Sequence, residues 1–323
     1  MSIPTPFPLR PVACAQGFSM RKARLLREFT QRRDLKFLAP GSPVPGGADL
    51  LLWGAAPTPR SLSPDVRLVR VEDGFVRSVG LGADLTRPVS WVFDDEGMYF
   101  DASVPSRLER LLQECRVGEG DLRRARILRE RIVREGVTKY NLASSAWAPG
   151  GAGRPVALVA GQVETDAAIA AGTVDVRTNI GLLQAVRQAR PQAWVVYKPH
   201  PDVVAGLRSR GSGEAQALQW CDEVVTSGAI HEMIDHVDEV HVMTSLTGFE
   251  ALLRGKPVWC YGQPFYSGYG LTTDRQAQPR RTRRLSIDEL VACALLQYPT
   301  YLHPGRGTPC SAEEAVDALL EWR

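Results

Sequence analysis

Val66-Arg67-Leu68-Val69-Arg70-Val71-Glu72-Asp73-Gly74-Phe75 reads as a buried strand that ends in an acidic tight turn. Gly74 permits a sharp reversal, and two adjacent side chains at a strand end point in different directions. One carboxylate can then face a ligand while the other serves the structure. A second stretch, Ala193-Trp194-Val195-Val196-Tyr197-Lys198-Pro199-His200-Pro201-Asp202, has the same form, with a lysine and a histidine between prolines at the strand end. Ligands of open parallel sheets bind beyond the carboxyl ends of the strands. The two turns lie in different halves of the chain, so they predict one site in a cleft between two domains.

Outward from these stretches the pattern repeats. Residues 49–53 (DLLLW), 89–93, 155–160 (PVALVA), 239–243 (EVHVM) and 257–261 (PVWCY) read as strands. Helical composition covers 20–34, 106–134, 179–189 and 247–254. Strands alternating with helices predict α/β architecture with parallel sheets covered on both faces. Residues 146–154 (AWAPGGAGR) read as a linker. The expectation is two Rossmann-like domains, 1–148 and 149–323, with the last helix returning to the first.

The 323 residues are ample for two domains, and 44% hydrophobic with 23% charged residues is ordinary for a globular chain. A net charge of +3 argues against nucleic acid as a partner. The six cysteines form no C-x-x-C pair, which favours free thiols in a reducing compartment over a disulfide framework or zinc site. No apolar run reaches the length of a membrane span, and residues 1–15 lack the form of a signal peptide. The protein is expected in the cytoplasm.

Each candidate motif has a plain structural reading beside its chemical one. Glu72-Asp73-Gly74 could be a solvated acidic turn. Lys198 suits a phosphate, and His200 can donate to a phosphate oxygen or protonate a leaving group, yet a histidine in a turn is often structural. Thr244-Ser245-Leu246-Thr247-Gly248-Phe249-Glu250 opens a helix after a strand. Its hydroxyls and N–H groups can cradle an anion, and Glu250 can reach a ribose hydroxyl; a capping box of Thr247 and Glu250 accounts for the same spacing. Gly161-Gln162-Val163-Glu164-Thr165-Asp166 can contact phosphate or sugar. Gly262–Thr272 can close over a ligand or form a structural loop. Arg280-Arg281-Thr282-Arg283-Arg284 reads as a solvated basic patch, with anionic lipid headgroups as the second reading. Residues 20–33 form a basic amphipathic stretch suited to core packing first and membrane apposition second.

Taken together, these strings resemble the capsule polysaccharide β-Kdo transferase family (KpsC/LipA-like). The resemblance rests on Gly17-Phe18-Ser19, Arg70–Gly82, Asp84–Pro88, Gly161–Glu164, Tyr197–Asp202, Ser245–Leu252 and Gly262–Tyr266. It spans about residues 15–320. Met20-Arg21 departs from the aromatic-Lys pair expected there. Members often carry two such modules in tandem, and this chain has room for one.

The resemblance implies a GT-B fold and a retaining glycosyltransferase. CMP-β-Kdo would be the donor and a lipid-linked or Kdo-terminated glycan the acceptor, with capsule-assembly proteins and the inner membrane as associates. It implies Asp73 as nucleophile, with Glu72 a weaker candidate for base. Lys198 and His200 would hold the CMP phosphate, His200 also helping the leaving group. Ser245 and Thr247 would add phosphate donors, Glu250 a ribose contact and Gln162 a further donor contact. No cofactor is implied. CMP is a good leaving group, so a metal is not obligatory, and the sequence shows no compact cluster of metal ligands. The alternatives are a GT-B transferase or epimerase using another CMP-nonulosonate or a UDP-sugar, and a non-catalytic scaffold of capsule assembly.

Overall fold

The computed structural model describes residues 7–80, 86–141, 147–151 and 153–323. The Asp84–Leu85 end of one family string, Leu81-Gly82 of another, and Ala146 and Ala152 of the linker lie outside them. In chain order the strands are β1 (Ala13–Gln16), β2 (Lys36–Leu38), β3 (Asp49–Trp53), β4 (Arg67–Asp73), β5 (Ser90–Asp94), β6 (Val156–Ala160), β7 (Trp194–Lys198), β8 (Glu223–Val224), β9 (Glu239–Val242), β10 (Val258–Cys260), β11 (Thr273–Asp274), β12 (Pro299–Leu302) and β13 (Pro309–Cys310). The helices are α1 (Met20–Thr30), α2 (Arg107–Glu114), α3 (Glu119–Arg134), α4 (Ala167–Gly172), α5 (Asn179–Ala189), α6 (Pro201–Val204), α7 (Ile230–His236), α8 (Leu246–Leu253), α9 (Ile287–Val291) and α10 (Ala312–Trp322).

Two sheets form. Among the described residues the first has seven strands in the order β13-β12-β5-β4-β3-β1-β2, and the second has six in the order β11-β10-β9-β6-β7-β8. Every pairing in the second sheet is parallel. Its central strand Val156–Ala160 is buried along its whole length, as a run covered by helices on both faces must be. The first sheet is parallel from β2 to β4, but β5 runs antiparallel to β4, and β12 antiparallel to β5. The strands expected from sequence are present. The stretch 106–134 is two helices, each with its own start: Ser106 caps α2 by accepting from the Glu109 N–H, and Gly118 begins α3.

The chain crosses back at its end. β12 and β13 come from residues 299–310 and complete the first sheet, so sheet membership does not follow a single cut near residue 148. Helix α10 then lies by α3, where Arg124 meets Glu313 at 3.1 Å. Ser311 and Glu314 close a capping box at its start, and Ala315, Val316 and Leu319 are buried.

The halves are joined by apolar and charged contacts. One buried cluster contains Phe75 and Val92 from the first half with Phe249, Phe265 and Leu290 from the second. Phe75 stacks on Phe265 with ring centroids 4.5 Å apart and meets Tyr99 edge-on at 4.9 Å. The basic run 280–284 is not a free patch. Arg280 pairs with Glu109 at 2.6 Å, Arg281 pairs with the other Glu109 oxygen at 3.0 Å, and Arg283 pairs with Glu289. Arg281 is 3% exposed, because Pro264 and Ser267 carbonyls also accept from it. This buried carboxylate consumes the cations that sequence alone left available to lipid; Arg284 remains exposed. Among the described residues no helix is long and apolar enough to cross a membrane.

Two outcomes follow for stability. Replacing Phe75 with alanine removes the aromatic seam and should cost about 3–5 kcal/mol, read as a lower urea midpoint. Glu109→Gln leaves buried Arg281 without its anion. It should cost about 3–5 kcal/mol, whereas Arg284→Gln at the exposed position should leave the midpoint within about 0.5 kcal/mol.

Candidate functional site

A cavity of about 600 Å³ lies between the two sheets. Its walls include Glu72, Tyr99 and Lys139 from the first half, and Lys198, His200, Ser245 and Thr247 from the second. The cause is topological. β4, β6, β7 and β9 all end at this cleft, and the turn after each strand supplies the wall.

The acidic turn divides its two carboxylates. Glu72 faces the cavity, while Asp73 lines a separate space of about 410 Å³ with Lys22, Trp53, Arg77 and Trp91. Asp73 is fully engaged there: Arg77 Nε lies 2.7 Å from Oδ2, and Trp91 Nε1 donates to Oδ1 at 3.2 Å. Among the described residues Glu72 accepts only the neighbouring Asp73 N–H, at 2.9 Å. Burial, and then the negative charge of Asp73, push its carboxyl up to about 7. Gly54, at φ +49°, keeps room for it; a Cβ there would sit 2.7 Å from Glu72 Oε2. Gly74 is equally constrained, since a Cβ would collide with the Ser90 side chain.

The opposite wall is cationic and rich in donors. Lys198 donates to the Ser227 carbonyl at 2.6 Å, and burial lowers its ammonium to about 8. His200 caps the short helix α6, its Nδ1 accepting the Asp202 N–H at 3.1 Å. In the neutral ring the proton then sits on Nε2. Burial, opposed by Asp202 and Asp166, holds the imidazole below its usual range and so neutral at pH 7. Ser245 caps α8 by accepting the Thr247 N–H at 3.2 Å, and its hydroxyl reaches Thr247 Oγ1 at 3.1 Å. The helix thus presents two hydroxyls and its positive end to the cavity.

The remaining expected residues are placed differently in kind. Glu250 does not form a capping box with Thr247. Three residues past the Ser245 cap stands Gly248; Glu250 lines the cavity but is largely buried, accepting the Lys139 N–H at 2.9 Å. Burial raises its carboxyl. Gln162 borders the cavity, but its amide braces two loops: its oxygen accepts the Thr244 N–H at 2.8 Å and its nitrogen donates to Thr244 Oγ1 at 3.0 Å. From the Gly262–Thr272 loop, Pro264 and Phe265 reach the cavity wall, and Tyr266 donates to the Ser245 carbonyl.

Sequence reasoning missed Lys139, with Thr138 and Tyr140 beside it. Both backbone groups of Lys139 are fixed: its N–H by Glu250, its carbonyl by the N–H groups of Arg77 and Ser78, each at 3.2 Å. Burial opposes its charge, but Tyr140, Tyr99, Asp73 and Glu72 outweigh that and hold the ammonium above the ordinary lysine range. The available signal was a polar, aromatic turn, Thr138-Lys139-Tyr140-Asn141, closing a long helix. Also missed was the loop Thr226–Ile230 after β8, a strand too short to read from pattern.

Comparison with known proteins gives a consistent set. The family described as "Capsule polysaccharide biosynthesis protein" matches residues 49–136 and 125–302. Capsule polysaccharide modification protein LipA of Neisseria meningitidis serogroup B is 45% identical over 258 residues, which is 80% of this chain and 37% of LipA. Lipopolysaccharide-processing protein LpsZ of Rhizobium meliloti is 42% identical over 264 residues, 80% of this chain and 60% of LpsZ. The chain therefore spans less than two thirds of these relatives. The solved β-Kdo 2,7 transferase of Thermosulfurimonas dismutans KpsC superimposes with a TM-score of 0.79 at 36% identity, covering 96% of this chain and 99% of that one. The β-Kdo 2,4 transferase of the same KpsC gives 0.82 at 29% identity, covering 95% and 97%. The chain belongs to the capsule polysaccharide biosynthesis protein family and has the two-sheet, GT-B-type α/β fold of the KpsC transferases.

Proposed function

We infer that this chain is a glycosyltransferase that moves Kdo from CMP-β-Kdo to a Kdo-terminated, lipid-linked glycan, with retention of configuration. The observation that carries the reading is the opposition across one cavity of Glu72 and the set Lys198, His200, Ser245 and Thr247. A nucleotide sugar needs this polarity: anion donors at the phosphate, and a carboxylate at the far side of the anomeric carbon.

Lys198 and the donors of Ser245 and Thr247 hold the phosphate of CMP. His200, with its proton on Nε2, donates to the phosphate oxygen as charge builds there. The same wall supports the leaving group, so attack must come from the other side. Glu72 is the carboxylate that faces the cavity there, and we assign it the attack. This differs from the sequence expectation, which gave that role to Asp73. Asp73, held by Arg77 and Trp91, sets the charge environment of Glu72 instead.

The chemistry takes two displacements. A Glu72 oxygen bonds to the anomeric carbon as the carbon–phosphate oxygen bond breaks, and CMP leaves with the electron pair. The acceptor hydroxyl then attacks from the face that CMP vacated, expels Glu72, and loses its proton to solvent. Two inversions give net retention.

The test is incubation with CMP-β-Kdo generated in situ and a short Kdo-terminated acceptor, with the product linkage read by NMR. A β-linked Kdo product is expected; no transfer and no hydrolysis of CMP-Kdo would overturn the reading. Intact-protein and peptide mass should place a Kdo adduct on Glu72, while an adduct on Asp73 would move the nucleophile there. Glu72→Gln should lower kcat by at least about 1,000-fold yet still be stabilised thermally by CMP.

The pH profile of kcat/KM has a worked sign. Glu72 must be ionised, so activity rises with pH through about 7. Lys198 must be protonated, so activity falls above about 8. Lys198→Arg, charged throughout, should keep the rising limb and move the falling limb to higher pH.

A further inference from the structure

Lys139 brings to the cavity a charge that makes no direct ion pair among the described residues. Its ammonium borders the cavity beside Glu72, Tyr99 and Tyr140, and lies 5.3 Å from the Tyr140 ring centroid. Among the described residues it takes no hydrogen-bond or ion-pair partner. Asp73 and Glu72 favour its charge from nearby without a direct ion pair, so its N–H donors are left for an incoming anion. The backbone around it is over-determined. Its N–H is held from the second half by Glu250, and its carbonyl from the first half by Arg77 and Ser78. Asn141 adds hydrogen bonds to the Thr138 and Ser78 carbonyls. The side chain is thus delivered to one place in the cleft, beside the attacking carboxylate and within electrostatic reach of His200.

The chemistry at that place calls for a cation. A carboxylate must approach an anomeric carbon. In an aldose donor that carbon bears only hydrogen, but in a 2-ulosonic acid it bears a second carboxylate. Two anions then meet at one carbon. An ammonium beside them removes the repulsion and holds the sugar in register. We propose that Lys139 is the donor-specificity residue of this cleft, receiving the carboxylate that a 2-ulosonic acid carries on its anomeric carbon. The assignment rests on the function inferred above and adds to it the reason for selecting acidic sugars over aldoses.

Lys139→Met and Lys139→Arg test this, because both keep the backbone N–H that bonds Glu250. Binding of CMP alone is measured beside KM and kcat for CMP-Kdo hydrolysis and transfer. In Lys139→Met, CMP affinity should stay within about twofold while KM for CMP-Kdo rises about 10- to 100-fold, the worth of one charge-assisted contact. Lys139→Arg should remain within about tenfold of the parent, and it carries the test if the methionine variant does not fold. An unchanged KM, or CMP affinity falling in parallel with CMP-Kdo, overturns the assignment. Failure of the parent protein to bind or turn over CMP-Kdo would instead overturn the function itself, and this assignment with it.

Discussion

The cleft depends on the stack of Phe75 on Phe265. Phe75 follows the acidic turn by one residue, so the side chain that anchors the first half also fixes where Glu72 faces. Phe265 belongs to the loop after β10, whose neighbour Tyr266 donates to the Ser245 carbonyl at the start of α8. One apolar contact therefore ties the carboxylate wall to the phosphate wall. Aromatic pairing suits this task, because large buried area combines with a preferred ring geometry. The Glu109 pairs with Arg280 and Arg281 add a directional constraint nearby.

Around this joint the charges are sorted by side. Glu72 is held protonated or ionised near neutrality, as an acid–base or nucleophilic group requires, while Asp73 is committed to Arg77. On the other wall burial makes Lys198 and His200 easy to discharge. An incoming phosphate would reverse that tendency by restoring an anion beside them. Lys139 stands between the two sets. Its charge lowers the proton affinity of both Glu72 and His200.

The return of the chain is the second architectural constraint. β12 pairs with β5, and Tyr298 just before it donates to Asp94 at 2.8 Å. A cut of the sequence into two consecutive segments cannot express this. The two halves share strands, so the cleft geometry is not set by a linker alone.

The sequence by itself determined the local grammar. Hydrophobic runs such as PVALVA and AWVVY announced strands, and their polar ends announced the turns where ligands bind, because apolar periodicity and strand-end chemistry are properties of a few neighbouring residues. Glu72, Lys198, His200, Ser245 and Thr247 were legible for that reason, and the structure brings all five to one cavity. The tertiary structure decided what no local pattern contains. It directed Glu72 to the cleft and Asp73 away from it, spent Arg280, Arg281 and Arg283 on Glu109 and Glu289, and gave Glu250 at the cavity wall a backbone bond. It also delivered Lys139 to the site. These outcomes turn on which distant groups come within a few ångströms, and burial and charge pairing act only once the chain has closed on itself.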